Sequence, residues 1–94
     1  IDLSHANSSK QHHRQIEVAA DVARQIAAGE QRITGVMIES HLQEGRQDLG
    51  KGELAHGVSI TDACISMAQT VPVLQQLADA VLQRRAKTQP APQA

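Results

Sequence analysis

The chain has 94 residues, with nine Lys and Arg against ten Asp and Glu for a net charge of −1, and it contains no Phe, Tyr or Trp. That balance leaves no cationic footprint for nucleic acid and no rings on which bases could stack. One cysteine allows no intrachain disulfide, and no apolar run approaches the roughly 18 residues of a membrane span, so neither secretion nor a bilayer is indicated and a cytoplasmic location is expected.

The chain opens on Ile1 rather than Met, in what reads as the end of a strand, so upstream sequence is expected. From Gln11 onward Ile16, Ala19, Ala20, Ala23, Ile26 and Ala27 follow the spacing of one helical stripe. Ser8 with Gln11 three residues later has the pattern of a capping box, and Gly29 supplies the stop. The β-branched run Ile33, Thr34, Gly35, Val36, Met37, Ile38 predicts a strand covered on both faces, as in a parallel sheet. Residues 43–57 carry Gly45, Gly50, Gly52 and Gly57 without a period and predict a long loop, a length usually reserved for shaping a site. Ser59 with Asp62 predicts a short capped helix through Ile65, and Thr70 opens a longer helix with the stripe Val71, Leu74, Leu77, Ala78, Val81 and Leu82. Arg84, Arg85 and Lys87 suit the negative pole of that helix, and the tail 88–94, with Pro90 and Pro92, is expected to be disordered.

This order is a strand-helix-strand crossover followed by a helix, an α/β arrangement. Two parallel strands leave both sheet edges bare, so the segment is expected to be part of a barrel or open α/β sheet. Ligands in such folds bind beyond the carboxyl ends of the strands. His5 and Glu39 fall there, and Asp62 follows the long loop. One imidazole and two carboxylates form a donor set suited to Mn, Fe, Zn or Co. Polar residues at strand ends more often cap helices or brace loops, and spacing alone points to a metal only weakly, since no compact ligand motif such as CxxC or HExxH is present. Asn7, Ser8, Ser9 and Lys10 open a helix beside His5, where free backbone N–H groups and one ammonium could hold an anion, or simply cap. Adjacent His12 and His13 diverge on a helix and are read as surface residues; His41 could line the mouth of the site, His56 has no partner in view, and Cys64 reads as a buried apolar residue.

Residues 2–10 (DLSHANSSK), 35–47 (GVMIESHLQEGRQ) and 57–66 (GVSITDACIS) closely resemble, in order and spacing, the C-terminal part of the type I 3-deoxy-D-arabino-heptulosonate 7-phosphate (DAHP) synthases. The resemblance covers about residues 1–86 and implies strand 7, helix 7, strand 8 and helix 8 of a (β/α)8 TIM barrel, a single catalytic domain of which 1–87 would be the last portion. It implies that His5 in SHAN, Glu39 in ESHL and Asp62 in ITDAC are ligands of a divalent metal. The family's fourth ligand, a cysteine from an early strand, has no counterpart here, because Cys64 does not match that motif. The implied activity condenses phosphoenolpyruvate with erythrose 4-phosphate at the head of the shikimate pathway. The metal polarises the aldehyde oxygen while C3 of phosphoenolpyruvate attacks, water adds at C2, and phosphate leaves by carbon–oxygen cleavage. His5 could also orient or exchange protons there, which makes it the candidate catalytic residue, and Lys10 and Asn7 are the candidate substrate-binding residues. Where many relatives carry a Trp and acidic residues, this chain has Ser66, Met67, Ala68 and Gln69, so packing there is expected to differ.

The 94 residues alone are expected to be inactive, and the intact enzyme to be a homo-oligomer. One alternative is a related synthase of the 3-deoxy-octulosonate 8-phosphate type, which joins phosphoenolpyruvate to a different aldose phosphate. The other is a non-catalytic module that docks through its two helices.

Overall fold

The computed structural model describes residues 1–50 and 52–88. The chain folds as a 3-10 helix, His5–Ser8, followed by α1, Arg14–Ala27, and α2, Met67–Thr88. Of the tail expected to be disordered, Thr88 is the last helical residue and 89–94 lie outside the described residues.

α1 carries the amphipathic stretch foreseen from the sequence. Ala19, Val22, Ala23 and Ile26 are buried together with Gln15, while Ile16 and Ala27 pack at the edge of the core. Its end is built by Gly29, whose φ of 111° only glycine adopts freely. There the Glu30 N–H donates to Gln25 C=O (3.0 Å) and the Gly29 N–H to Ile26 C=O (3.0 Å), which caps the last carbonyls. The start differs from expectation. Ser8 Oγ donates to the His5 carbonyl (3.2 Å) and the Gln11 N–H to the Ser8 carbonyl (3.1 Å), so the capping box is absent. Left-handed Ser9 and Lys10, with φ 54° and 59°, turn the chain out of helical register, and α1 begins three residues after Gln11.

No strand forms among the described residues. The expected pair at the chain start and at 33–38 is reduced to one parallel bridge between Asp2 and Met37, in which Leu3 N–H donates to Met37 C=O and Met37 N–H to Ile1 C=O, both at 2.9 Å. The direction is the expected one, but each segment has too few partners to extend a ladder. A third extended segment replaces the helix foreseen after Ser59. Ser59 Oγ accepts the Thr61 N–H at 3.1 Å in a tight turn. Ile65 then pairs parallel with Ser40, donating its N–H to Glu39 C=O (3.1 Å) and accepting from His41 N–H (2.9 Å).

A capping box does form, at the head of α2. The Gln69 N–H donates to Ser66 Oγ (3.1 Å) and the Ser66 N–H to Gln69 Oε1 (2.8 Å), so α2 starts at Met67 and not at Thr70. Thr70 is buried, with its hydroxyl donating to Ser66 C=O at 2.8 Å. The buried face of α2 is Val73, Leu77 and Ala80, packed on α1 with Leu3, Ile33 and Ile65. Val71, Leu74 and Leu82, expected in the core stripe, are more than half exposed, because α2 has apolar residues on two faces and α1 covers one. Arg84 departs from its expected dipole role. Its Nη1 donates to the carbonyls of Glu30 and Ile33 (2.8 Å each) and ties the turn after α1 to α2.

Among the described residues the glycine-rich segment forms no helix but is braced. Gly45 pairs antiparallel with Cys64 and Arg46 parallel with Ser59. The Gln47 side chain bonds Ala55 N–H and C=O (2.8 Å each) and Val58 C=O (3.0 Å). Gly57 lies against Leu42 so closely that an added Cβ would sit 2.9 Å from the Leu42 Cβ. No described helix is long and apolar enough to cross a membrane.

Candidate metal centre

Three segments far apart in sequence converge at one end of the helix pair. His5 follows the first extended segment, Glu39 precedes the Ser40 bridge, and Asp62 lies in the turn before Cys64 and Ile65. One donor atom from each lies within 4.8 Å of the other two. His5 Nε2 is 3.2 Å from Asp62 Oδ2 and 3.6 Å from Glu39 Oε2. Ligands held 2.0–2.2 Å from a shared ion stand about 3.0–3.5 Å apart in octahedral or tetrahedral geometry, so these separations suit a first-row divalent cation with little movement. Asp62 does not open a helix as expected; it is carried by the Ser59 turn and is the most exposed of the three, its side chain 63% accessible against 45% for His5 and 22% for Glu39.

The backbone of His5 is left-handed, with φ 51°, a conformation uncommon outside glycine but tolerated by His, Asn and Asp. It aims the ring. Nδ1 lies 2.8 Å from Asp2 Oδ2 and 2.9 Å from Ser4 Oγ, and Ser4 donates its N–H (2.8 Å) and its hydroxyl to Asp2 Oδ1. With Nδ1 bonded to a carboxylate, Nε2 is the nitrogen presented to Glu39 and Asp62, the arrangement by which a carboxylate fixes a metal-binding imidazole. The hydrogen bonds from Ser4, then that from His5, pull the Asp2 pKa down to about 2. The hydrogen bond from Asp2, then the charge of Glu39, raises that of His5 above 6.5. Three carboxylates around one imidazole favour a positive charge there, whether a proton on the ring or a metal ion.

The trio opens into a cleft of about 180 Å³ that is also lined by Ser8, Lys10, His12, Gln15 and Ala63. Lys10 therefore faces the cleft, whereas the Asn7 amide donates to Asp2 C=O (2.6 Å). The backbone N–H groups expected to be free for an anion are not: those of Asn7, Ser9 and Lys10 donate to the carbonyls of Ser4, Ala6 and His5. His12 is half-buried at the cleft edge, its Nε2 3.0 Å from Glu44 Oε2, which also accepts from Gln69 Nε2 (3.3 Å), while His13 and His56 are exposed. These bonds lower the Glu44 pKa, that from His12 first. His41 does not line the mouth, and its Nδ1 accepts the N–H of Leu42 at 2.9 Å. Cys64 is buried, as expected, though in an extended segment and not in a helix; burial raises its thiol pKa, and it stands outside the donor trio.

Two residues of the site escape the sequence reading. Asp2 has a local signal, a carboxylate three residues before a histidine. Gln15 has a subtler one, a polar residue in phase with Ala19, Val22 and Ile26 on the buried face of α1.

Over residues 1–75 the chain matches the model of the DAHP synthetase I family. It is 62% identical over 86 residues to the Phe-sensitive phospho-2-dehydro-3-deoxyheptonate aldolase of Escherichia coli, covering 90% of this chain and 25% of that protein. Identity to the Haemophilus influenzae phospho-2-dehydro-3-deoxyheptonate aldolase is 56% over 89 residues, covering 94% and 25%. The tyrosine-inhibited aldolase of Schizosaccharomyces pombe is 54% identical over 90 residues, covering 90% and 24%. The fold superposes on the solved phospho-2-dehydro-3-deoxyheptonate aldolase of Francisella tularensis with a TM-score of 0.87 at 49% identity, over 90% of this chain and 25% of that one. The chain thus spans about a quarter of the length of the relatives it matches. With the family's sequence pattern over most of its residues and the fold of a family structure over nine tenths, the chain belongs to the DAHP synthetase I family.

Proposed function

We propose that residues 1–87 form the C-terminal quarter of a metal-dependent DAHP synthase, supplying about strand 7, helix 7, strand 8 and helix 8 of its (β/α)8 barrel. The intact enzyme condenses phosphoenolpyruvate with erythrose 4-phosphate to DAHP and phosphate. The observation that carries this reading is the meeting of His5, Glu39 and Asp62, which stand on the SHAN, ESHL and ITDAC strings, within 4.8 Å of one another. Identity of 54–62% to relatives named phospho-2-dehydro-3-deoxyheptonate aldolases favours it over the 3-deoxy-octulosonate 8-phosphate alternative.

A divalent cation held by these three residues, Mn, Fe, Zn or Co by the donor set, supplies Lewis-acid polarisation of a carbonyl oxygen. Asp2 and Ser4 keep the His5 ring oriented with Nε2 toward the cleft. Glu39 and Asp62 would hold the ion with His5 and bring two charges to balance it, and Glu39 is the least exposed of the three. Lys10 lines the same cleft and is placed to meet an anionic substrate, whereas Asn7 braces the His5 turn through Asp2. His5 acts chiefly as a ligand in this reading, and any proton exchange at Nε2 requires that the ion leave it. Homo-oligomeric assembly belongs to the same reading, as does a cytoplasmic location, which rests on the single cysteine and on the biosynthetic names of the relatives.

Grafting residues 1–86 in place of the matching quarter of the E. coli relative tests the reading. The graft is expected to consume phosphoenolpyruvate only with erythrose 4-phosphate and a divalent metal, and to lose turnover on Glu39→Gln or His5→Asn, while the 94 residues alone release no phosphate. Turnover that survives metal chelation, or that prefers another aldose phosphate, would overturn it.

A further inference from the structure

Gln15 carries a role that the metal site does not by itself explain. It stands in the first turn of α1, and only 1% of its surface is accessible. A buried primary amide is destabilising unless both of its polar ends are bonded. Here both ends are bonded to one residue. Oε1 accepts the Glu39 N–H at 2.8 Å and Nε2 donates to the Glu39 C=O at 3.0 Å. This two-bond exchange is what a neighbouring strand residue offers in an antiparallel ladder, and a helix side chain provides it where no strand is present. The Glu39 carbonyl also accepts the N–H of Ile65 (3.1 Å), three residues beyond Asp62. The peptide that carries one acidic ligand is therefore clamped between the helix that follows His5 and the segment that follows Asp62.

We infer that Gln15 is a positioning residue for the metal centre: by holding the Glu39 backbone it sets the carboxylate at its separation from His5 and Asp62, and so sets metal affinity. The inference rests on the reading of His5, Glu39 and Asp62 as ligands. A purely structural Gln15 would lower stability without altering the affinity of the folded protein. A positioning Gln15 alters affinity, because ligand sites lose about 10–100-fold when the groups that orient a ligand are removed.

The test uses Mn²⁺ titration followed by the electron paramagnetic resonance of the free ion, on the 94-residue chain and on the graft, with thermal unfolding of the metal-free proteins alongside. The variants are Gln15→Met, which fills the space without either bond, Gln15→Asn, which stays polar but falls one methylene short, and Leu77→Ala, a core change on α2 away from the cleft. The expected result is binding by the parent, loss of binding in His5→Asn, affinity lowered about 10–100-fold in both Gln15 variants, and unchanged affinity in Leu77→Ala despite its lower melting temperature. Should the parent bind Mn²⁺ and the folded Gln15 variants bind it within twofold, the inference is overturned while the ligand reading stands. Should the parent bind no Mn²⁺ in either format, the ligand reading falls and the inference falls with it. A Gln15 variant that does not fold in the short chain is judged in the graft, where the remaining barrel supports it.

Discussion

Replacing Asp2 by Asn asks whether the carboxylate behind His5 acts through its charge. Asp2 accepts from His5 Nδ1 at 2.8 Å, and with a pKa of about 2 it is ionised wherever a metal can bind. Asn keeps one oxygen as acceptor for Nδ1–H and removes the charge, while the oxygen that accepts from Ser4 becomes an NH2. Two consequences oppose each other. Well above the raised His5 pKa no proton competes with the ion, and the variant is expected to bind Mn²⁺ about 10–100-fold more weakly than the parent. Below it, the parent loses about tenfold in affinity per pH unit, because one proton must leave His5 for each ion bound. In the variant the His5 pKa falls back toward 6.5, so this loss sets in at lower pH and is smaller at any given acidic pH. The two affinity curves must therefore converge toward low pH. Mn²⁺ titrations between about pH 5.5 and about 8.5, across the range in which histidine titrates, read the difference directly. A deficit that stays constant, or that widens toward acid, would show that Asp2 does not act through the charge on His5.

Three further outcomes follow from the packing and the charges. Ser66→Ala removes the hydroxyl that accepts the Gln69 N–H, and about 1 kcal/mol of stability should go with it in urea unfolding; an unchanged midpoint would mean the capping box is dispensable. Leu77→Ala deletes three buried carbons, about 2.4 kcal/mol of transfer free energy at 0.8 per methylene and roughly 4 if the cavity stays open, so the melting temperature should fall by at least about 10 °C. Glu30 is held at a pKa of about 2, against 4.5, chiefly by the side-chain hydrogen bonds from Arg32, so its contribution is complete above about pH 4.5 and lost as pH falls through about 2. Glu30→Gln should flatten that acid limb of an unfolding-versus-pH curve, and an unchanged slope would count against the pair.

The helices were the most legible part of the sequence, because a repeat near 3.6 residues and a glycine stop are local signals. The caps were not. Of the Ser-x-x-Gln patterns that precede helices, at Ser8 and Ser66, only the second closes a box; what separates them is the left-handed backbone of Ser9 and Lys10, which follows the turn that His5 makes. The run 33–38 was legible as extended chain, but not that only Met37 within it would be bridged, since pairing depends on neighbours that lie elsewhere. Residues 59–65 misled because a serine that can cap a helix can also close a tight turn, and Ile65 gains backbone partners only when extended. In α2 the period was real, but which of two apolar faces meets α1 is decided by packing. Of the candidate site, His5 and Glu39 were legible from their position after extended segments, and Asp62 from its place after the long loop. Their supports were less so. Gln15 reaches Glu39 across 24 residues, a relation that no local pattern encodes.

The left-handed turn at position 5 limits which donors the proposed metal centre could take there. A cysteine or glutamate placed there would bring its own donor but would meet the steric penalty that a φ of 51° imposes on most side chains, leaving His and Asp as the donors best tolerated by that backbone. Positions 39 and 62 carry no such restriction, since neither has a positive φ. On the proposed ligand reading, another donor at either of those places would meet no backbone penalty, whereas exchanging the imidazole for cysteine or glutamate would meet one.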